Sequence, residues 1–183
     1  MIVAVEASSG VAAVRDLDGG VHRPFAASGR VKVLVFVTSD CPISNGYAPE
    51  IQRVCGAYET RGVDCLLLYE DMDIGSSAAR QHRAAYGLAS IPAAIDADRA
   101  IARAGGATVT PEAVVIDPPG TVRYRGRIDD TYAALGRRRP AATRHELIEA
   151  LDAVLAARPV PRPKTDAVGC FIPPPALREL VQR

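Results

Sequence analysis

The amino-acid sequence predicts an α/β fold with a mixed central sheet, helices on both faces, an N-terminal β-hairpin and a proline-rich C-terminal tail. Two apolar runs, residues 31–37 and 63–69, are rich in valine or leucine and predict strands covered on both faces. Helical and hairpin segments alternate with these runs, as expected of a sheet between two layers of helices. Since 183 residues suffice for one domain with appendages, we predict a domain over residues 1–157 and a tail over residues 158–183 that carries Cys170.

The first half of the chain predicts a hairpin and a β-α-β unit. Residues 11–25 read as the hairpin because Asp and Gly supply turn residues between two extended segments. The first apolar run follows as a central strand. Apolar residues then recur at three- and four-residue spacing over residues 43–58, which predicts a helix that ends near Gly62. The second apolar run completes the unit as a neighbouring strand.

The second half of the chain predicts three helices, a second hairpin and an irregular tail. Ser76 or Ser77 is expected to cap a helix that runs to Tyr86. A capping box at residues 143–146 predicts the closing helix. The remaining elements are a short helix over residues 97–104 and hairpin strands over residues 112–116 and 122–127. Repeated prolines from residue 159 onward forbid regular structure, so we expect the tail to lie across the domain as a strap.

Charge and hydropathy exclude several classes of function. Lys and Arg total 22 while Asp and Glu total 21, so no net field attracts nucleic acid or anionic lipid. No segment approaches the ~20 apolar residues of a membrane span, and residues 1–10 lack the basic start and apolar core of a signal peptide. We therefore expect a cytoplasmic protein, as the sequence stands, with no nucleic-acid or membrane partner, no metal and no cofactor.

Four cysteines are the candidates for chemistry. Their spacing fits neither a zinc ribbon nor a Cys-x-x-Cys pair. Cys41 stands at a strand-to-helix turn, where unpaired backbone N–H groups and the helix dipole favour a thiolate. Pro42 suits the first helical position because its missing N–H has no partner there in any case. Cys41 is therefore the predicted nucleophile.

Around Cys41 the sequence resembles the redoxin superfamily. This superfamily contains membrane-tethered thioredoxin-like proteins and proteins like alkyl hydroperoxide reductase. The resemblance rests on the apolar strand before Cys41, on Pro49 eight residues after it, and on the segment Thr110-Pro111-Glu112-Ala113-Val114-Val115-Ile116-Asp117. It implies a thioredoxin-like fold over roughly residues 13–156. It also implies that the bond between Thr110 and Pro111 is cis and that both residues shape a substrate groove beside Cys41, together with Pro42.

The chain departs from that family at three positions. Ser44 stands in place of the second cysteine of the redox pair, Tyr47 in place of a glutamate, and Asp40 in place of a tryptophan. Because Cys41 and Ser44 cannot form a disulfide, dithiol cycling through Cys-x-x-Cys is excluded. A carboxylate at Asp40 opposes the thiolate that the helix start favours, so the sign of the pKa shift of Cys41 stays open.

A single active-site thiol needs a second thiol to complete a cycle. Cys55, on the predicted helix, and Cys65, in a predicted strand, are expected to be packed and inert. Cys170 follows Gly169 in the tail and is the expected resolving partner or metal co-ligand. Thr38 precedes Cys41 at the Thr-x-x-Cys spacing of peroxiredoxins, although Leu34 replaces the proline that peroxiredoxins carry.

Two further residues bear on the choice of function. Arg127 is a candidate for binding a thiolate or anionic substrate, the alternative being a surface ion pair with Asp129 or Asp130. His82 is expected to be a polar surface residue, the alternative being a metal ligand.

Four hypotheses follow. Thiol–disulfide exchange through Cys41, with Ser44 beside it and Cys170 resolving, is favoured. The alternatives are peroxide reduction involving Thr38, copper(I) binding by Cys41 and Cys170, and a redox-inactive binding module. The expected partners are protein or small-molecule thiols, disulfides or peroxides, and the sequence leaves the oligomeric state open.

Overall fold

A computed structural model describes residues 12–173 of the chain. The strands are β1 (Val14–Arg15), β2 (Val21–His22), β3 (Val31–Val37), β4 (Val63–Tyr69), β5 (Ala93–Ile95), β6 (Val109–Thr110), β7 (Glu112–Ile116), β8 (Val122–Gly126), β9 (Tyr132–Ala134), β10 (Arg137–Arg138) and β11 (Cys170–Phe171). The helices are α1 (Pro42–Glu59), α2 (Ser76–Ala85), α3 (Ala100–Gly105) and α4 (Glu146–Leu155). No helix within residues 12–173 is both long and apolar enough to span a bilayer.

The central sheet has five strands in the order β5-β4-β3-β7-β8. β3 pairs in parallel with β4, and β4 in parallel with β5, whereas β7 runs antiparallel to both β3 and β8. The sheet is therefore mixed, as predicted. Both apolar runs became adjacent strands with the predicted bounds, which confirms that they form the centre of the fold.

Helices cover both faces of the sheet, which confirms the predicted fold class. Side chains of α1 and α4 pack on one face, where Val33, Val35 and Tyr69 point towards them. On the other face α3 packs against Leu34 and Phe36. Alternate residues of β3 thus enter opposite cores, which explains why the strand is apolar along nearly all its length.

Two of the predicted helix starts are wrong. α2 is capped by the backbone of Gly75 and by neither serine side chain. α4 begins at Glu146 after His145, because the Thr143 hydroxyl donates to the Asp130 carboxylate and does not accept a hydrogen bond from an N–H group at the helix start. The carboxylate of Asp130, from a distant part of the chain, thus engages the Thr143 hydroxyl that the capping box assigned to the helix start.

In the structure, α3 begins later than the sequence predicts, and a strand is present that the sequence did not predict. The carboxylate of Asp96 accepts hydrogen bonds from the N–H groups of Ile101 and Ala102, so α3 begins three residues later than predicted. Just before Asp96, strand β5 was missed because it has only three residues. It extends the sheet beyond β4.

The N-terminal hairpin is confirmed but is short. β1 and β2 pair antiparallel over two residues each. The Asp16 carboxylate, which accepts hydrogen bonds from Asp18 and Gly20, closes the turn between them. The start of the predicted hairpin, at residue 11, lies outside the described residues.

The C-terminal tail crosses the domain as a strap, as predicted. Backbone groups of Pro163 and Thr165 bond to Arg125 on the outer edge of β8. Further on, Cys170 and Phe171 form β11, which pairs antiparallel with β6. The prediction that the prolines exclude regular structure is thus wrong for these two residues, which lie between the proline clusters. The prolines at positions 174 and 175 lie outside the described residues.

Candidate active site

Cys41 occupies the N-cap position of α1, at the end of the loop that leaves β3. Its backbone is extended, and Pro42 follows as the first helical residue, as the sequence predicts. The Cys41 side chain is 1% exposed. A reactant from solvent therefore meets the groups packed against the Cys41 sulfur before it meets the sulfur itself.

The peptide bond between Thr110 and Pro111 is cis, as the resemblance implies. The carbonyl oxygen of Thr110 lies 3.4 Å from the Cys41 sulfur and accepts a hydrogen bond from the protonated thiol. The carboxylate of Glu112 fixes the loop before the bend by accepting hydrogen bonds from the N–H groups of Thr108, at 2.8 Å, and Val109, at 3.3 Å. Thr110 and Pro111 thus form one wall of the site.

Cys170 lies directly over Cys41. The two sulfur atoms are 3.0 Å apart, although 129 residues separate them in the sequence. Both are free thiols, Cys41 buried and Cys170 exposed. A modest approach of the two sulfur atoms would bring them to the ~2.05 Å of a disulfide bond.

Close backbone packing positions Cys170. It pairs with Thr110 in the β6–β11 ladder. A Cβ atom at Gly169 would stand 1.9 Å from the Thr110 carbonyl oxygen and 3.1 Å from the Pro111 nitrogen. Only glycine allows the tail to come this close to the cis bond. Gly169 therefore controls the distance between the two sulfurs.

The environment favours a thiolate at Cys41 and a thiol at Cys170. Burial raises the pKa of Cys41, but hydrogen bonds from the Cys170 thiol and from the N–H groups of Ser44 and Ile43 outweigh it, so the net pKa is lowered. Hydrogen bonding to Cys41, burial, the charge of Cys41 and the carboxylate of Asp40 raise the pKa of Cys170 to about 11. Of the two thiols, Cys41 is therefore the one that ionises first. This settles the sign that the sequence left open.

Ser44 contributes a hydroxyl beside the sulfur. Its side chain is 3% exposed, and its oxygen has no hydrogen-bond partner among the described residues. The hydroxyl lies outside hydrogen-bond geometry with Cys41, yet its dipole helps to lower the pKa of that thiol. An unpartnered buried donor here is available to a sulfur anion.

Thr38 lies close to the site, and its hydroxyl is engaged by another residue. Its hydroxyl is hydrogen-bonded to that of Thr110 at 3.0 Å, inside the protein. The expected role in orienting a peroxide gains no support from this geometry. Thr38 instead ties the end of β3 to the residue before the cis bond.

A polar network missed by sequence reasoning fixes the loop before Cys41. The carboxylate of Asp71 accepts hydrogen bonds from the backbone N–H and the hydroxyl of Ser39. Asn45 donates to the Ser39 carbonyl at 3.0 Å. Asp71 follows β4 as Ser39 follows β3, so the parallel pairing of these strands is the signal that would have placed them together.

His82 belongs to this network and is half-buried, so its expected place as a surface residue is wrong. Its Nε2 donates to the Asn45 side-chain oxygen at 2.8 Å, and its Nδ1 accepts from the Tyr69 hydroxyl at 2.9 Å. Burial lowers its pKa, which favours this neutral ring. Both nitrogens are engaged, so His82 is not available to bind copper alongside Cys41.

Arg127 lies at the start of α4. Its guanidinium forms an ion pair with the buried carboxylate of Glu146 at the start of α4. This ion pair replaces the alternative pairing with Asp129 or Asp130, and the role of Arg127 in substrate binding stays a prediction. Glu146 was missed because the capping box assigned its side chain to the helix backbone.

Cys55 and Cys65 form a disulfide, so the expectation that both are unpaired packing residues is wrong. Their Cα atoms are 5.9 Å apart. The chain reverses between α1 and β4, which lays the last turns of the helix over the strand and brings the two side chains together. The ten-residue separation across a helix–turn–strand connection is the signal that was available.

One group of side chains in the described part of the chain has the composition of a metal site. Ligand atoms of Glu50, Asp129 and His145 lie within 4.8 Å of one another. The Glu50 carboxylate is engaged by Arg53, and that of Asp129 accepts a hydrogen bond from Tyr47 at 2.7 Å. These acceptors already have partners, and the group contains no cysteine.

Comparisons with known proteins agree with this fold. Residues 10–125 match the AhpC/TSA family. A hypothetical protein from Sinorhizobium meliloti 1021 is 22% identical, with a TM-score of 0.73 over 88% of this chain and 89% of that one. An uncharacterized conserved protein from Geobacillus kaustophilus is 25% identical, with a TM-score of 0.73 over 87% of this chain and 86% of that one.

A secreted disulfide oxidoreductase of Mycobacterium tuberculosis, homologous to E. coli DsbE, has the same fold. It is 21% identical, with a TM-score of 0.55 over 80% of this chain and 96% of that one. A search of curated proteins found no significant match. The match to the family covers more than half of the chain, and the solved structures agree on a thioredoxin-like architecture.

Proposed function

The chain belongs to the AhpC/TSA family, and from that premise we propose that it is a thiol–disulfide oxidoreductase whose redox couple is Cys41 and Cys170. The 3.0 Å separation of their sulfur atoms is the observation that carries the proposal. Cys170 takes the place of the second cysteine that Ser44 has replaced. The substrate is a disulfide of a protein or a small molecule.

In the first step, the Cys41 thiolate attacks one sulfur of the substrate disulfide. A bond forms between Cys41 and that sulfur, and the other substrate sulfur leaves as a thiolate. The backbone N–H groups of Ser44 and Ile43 donate hydrogen bonds that favour the ionised sulfur, and they stay in place when the Cys170 side chain moves. The substrate sulfur approaches Cys41 through the place that the Cys170 side chain occupies, so that side chain turns aside during the attack.

In the second step, Cys170 resolves the mixed disulfide. It loses its proton to the departing thiolate or to solvent, attacks the Cys41 sulfur, and releases the second substrate thiolate. The substrate disulfide has then gained two electrons from the protein, one proton from Cys170 and one proton from solvent, and the protein holds a bridge between Cys41 and Cys170. The pairing of β11 with β6 keeps Cys170 within reach throughout.

The buried hydroxyl of Ser44 fits this cycle. It lacks a hydrogen-bond partner and stands next to the sulfur that carries negative charge before attack and after reduction. A serine at this position cannot compete with Cys170 for the mixed disulfide. Its presence supports a pathway in which resolution comes from the tail.

The test is to follow oxidation by glutathione disulfide in the wild type and in two matched variants. The wild type is expected to form the Cys41–Cys170 bridge. Cys170→Ser is expected to stop as a mixed disulfide on Cys41, and Cys41→Ser is expected to form neither product. Peptide mapping after alkylation measures all three. A wild-type protein that leaves Cys41 unmodified and never forms the bridge would overturn the proposal.

A further inference from the structure

Building on the proposed function, we propose that an external thiol donor regenerates the protein by attacking Cys170, so that Cys170 is the sulfur that accepts the donor and Cys41 is the leaving group. The oxidising substrate and the reducing donor then meet different sulfurs of the same pair. The cysteine that the family pattern places at the helix start is not the one that the donor contacts.

Exposure is the first observation that separates the two sulfurs. The Cys41 side chain is 1% exposed, whereas Cys170 is exposed to solvent. Phe171, the next residue, is 84% exposed. An external thiolate therefore reaches Cys170 without any movement of the chain.

The direction of attack is the second observation. A thiolate displaces a disulfide sulfur along the line of the S–S bond, from the side opposite the leaving group. Attack on Cys170 comes along a line that starts in solvent. Attack on Cys41 comes from the side away from Cys170, where the buried Cys41 sulfur is enclosed by the protein interior. The protein blocks that approach.

The stability of the two possible leaving groups is the third observation. Displacement from Cys170 releases the Cys41 thiolate at the start of α1, where the N–H groups of Ser44 and Ile43 donate hydrogen bonds that favour the charged sulfur. Displacement from Cys41 would release the Cys170 thiolate, next to the carboxylate of Asp40, which raises its pKa. A thiol of lower pKa leaves faster, so chemistry and access favour the same sulfur.

The cycle balances with two thiols from the donor. The first donor thiolate forms a bond to Cys170 and breaks the bond between Cys170 and Cys41, which leaves as a thiolate. A second donor thiolate attacks the donor sulfur of this mixed disulfide and releases Cys170. The donor becomes a disulfide, two electrons pass to the protein, and one donor proton returns to Cys170.

The experiment uses the wild-type protein with the bridge already formed. A mass four hydrogen atoms below that of the fully reduced chain, two for each bridge, and resistance of Cys41 and Cys170 to iodoacetamide establish the starting state. This step alone tests the proposed function, because without a bridge there is nothing for a donor to reduce. Brief exposure to glutathione is then quenched with acid, and the freed thiols are alkylated.

Tryptic peptides locate the adduct. Cys41 lies in the peptide of residues 33–53 and Cys170 in that of residues 165–178, so the two are read separately. We expect glutathione on Cys170 at least about tenfold more often than on Cys41, with the alkyl group on Cys41. Equal labelling, a predominant adduct on Cys41, or reduction without any adduct on Cys170 would overturn this inference and leave the proposed function standing.

A second arm identifies the source of the thiol. A reduced Cys-x-x-Cys peptide replaces glutathione at equal thiol concentration. Faster reduction by the peptide points to a protein dithiol as donor, and faster reduction by glutathione points to a small thiol. In both arms the adduct must form on Cys170 for the inference to hold.

Discussion

The molecule contains two pairs of cysteines, and they differ in what holds each pair together. Cys55 and Cys65 join α1 to β4, two elements fixed by the core, across a separation of ten residues. Cys41 and Cys170 face each other across 129 residues, and a tail strand of two residues presents the second sulfur. A bridge between rigid elements restrains the unfolded chain, whereas a bridge to a strap can open and close while the fold persists. The first pair is suited to stability and the second to chemistry.

A substitution that prevents the close approach of Gly169 to the Thr110 carbonyl should have the largest effect on the pair of Cys41 and Cys170. In Gly169→Val the added side chain meets the Thr110 carbonyl, so β11 cannot pair with β6. The effective concentration of Cys170 at Cys41 should fall about 100-fold or more. Glutathione redox titration of the bridge measures this.

Gly29→Ala is the control for that substitution, because a Cβ at Gly29 meets no atom within 4 Å. The bridge between Cys55 and Cys65 should persist in both variants. An unchanged redox equilibrium in Gly169→Val would mean that strand pairing does not position Cys170.

Removing the first pair should cost stability and leave the chemistry intact. The double substitution Cys55→Ala and Cys65→Ala should lower the free energy of unfolding by about 2–3 kcal/mol, as expected for a loop of this size. Denaturant titration measures the loss. A changed rate of bridging between Cys41 and Cys170 in this variant would show that the two pairs are coupled, against this prediction.

The substitution Arg127→Leu tests whether Arg127 contributes to stability or to substrate binding. The carboxylate of Glu146, whose side chain is 1% exposed, loses its closer ion-pair partner and keeps Arg144 at 3.9 Å. Since Arg127 is itself partly exposed, we expect a loss of about 1–2 kcal/mol in unfolding free energy. The alkylation rate of Cys41 should not change. Arg123→Leu, which breaks a more exposed and longer ion pair with Asp117, is the matched control.

The smallest effect is expected at Ser44. In Ser44→Ala the loss of the hydroxyl should raise the pKa of Cys41 and slow its alkylation by about two- to fivefold at neutral pH. Alkylation rates across a pH series measure both quantities. A pKa that does not move would remove Ser44 from the groups that stabilise the thiolate.

The sign of the pH dependence of stability follows from the same pKa shift. The pKa of Cys41 lies below its ordinary value of 9.0 in the folded protein. Its contribution to stability is therefore fully present above pH 9 and is lost as the pH falls through the lowered pKa. In Cys170→Ala this contribution should shrink, because the hydrogen bond that lowers the pKa most is gone. Unfolding free energies at two pH values, one on each side of the transition, test this.

The sequence was a good guide where local pattern decides structure. The bounds of β3 and β4 follow from continuous apolar runs that only a strand covered on both faces explains. Cys41, Pro42 and the cis bond before Pro111 were placed correctly because a strand-to-helix turn and a short motif are enough to define them. These features depend on neighbours in the sequence.

What the sequence did not reveal depends on distant backbone. The disulfide of Cys55 with Cys65 needs the helix laid over the strand, and the link from Asp71 to Ser39 needs two strand ends at one edge of the sheet. Thr143 offered a capping hydroxyl to α4, but Asp130 bound it more favourably from elsewhere in the fold. Cys170 was named as a partner, yet its register required Gly169 to touch the cis bond, which no local pattern encodes.

The strap has a consequence for how copies of this protein behave towards one another. β8 is the last strand of the central sheet, and its outer row of backbone groups is occupied by Pro163 and Thr165 on either side of Arg125. A bare strand edge is a template for pairing with another chain. Detachment of the whole tail would therefore expose the unpaired edge of β8 to other chains, as well as the thiolate of Cys41. The C-terminal tail therefore contributes both to the solubility of the protein and to its redox activity.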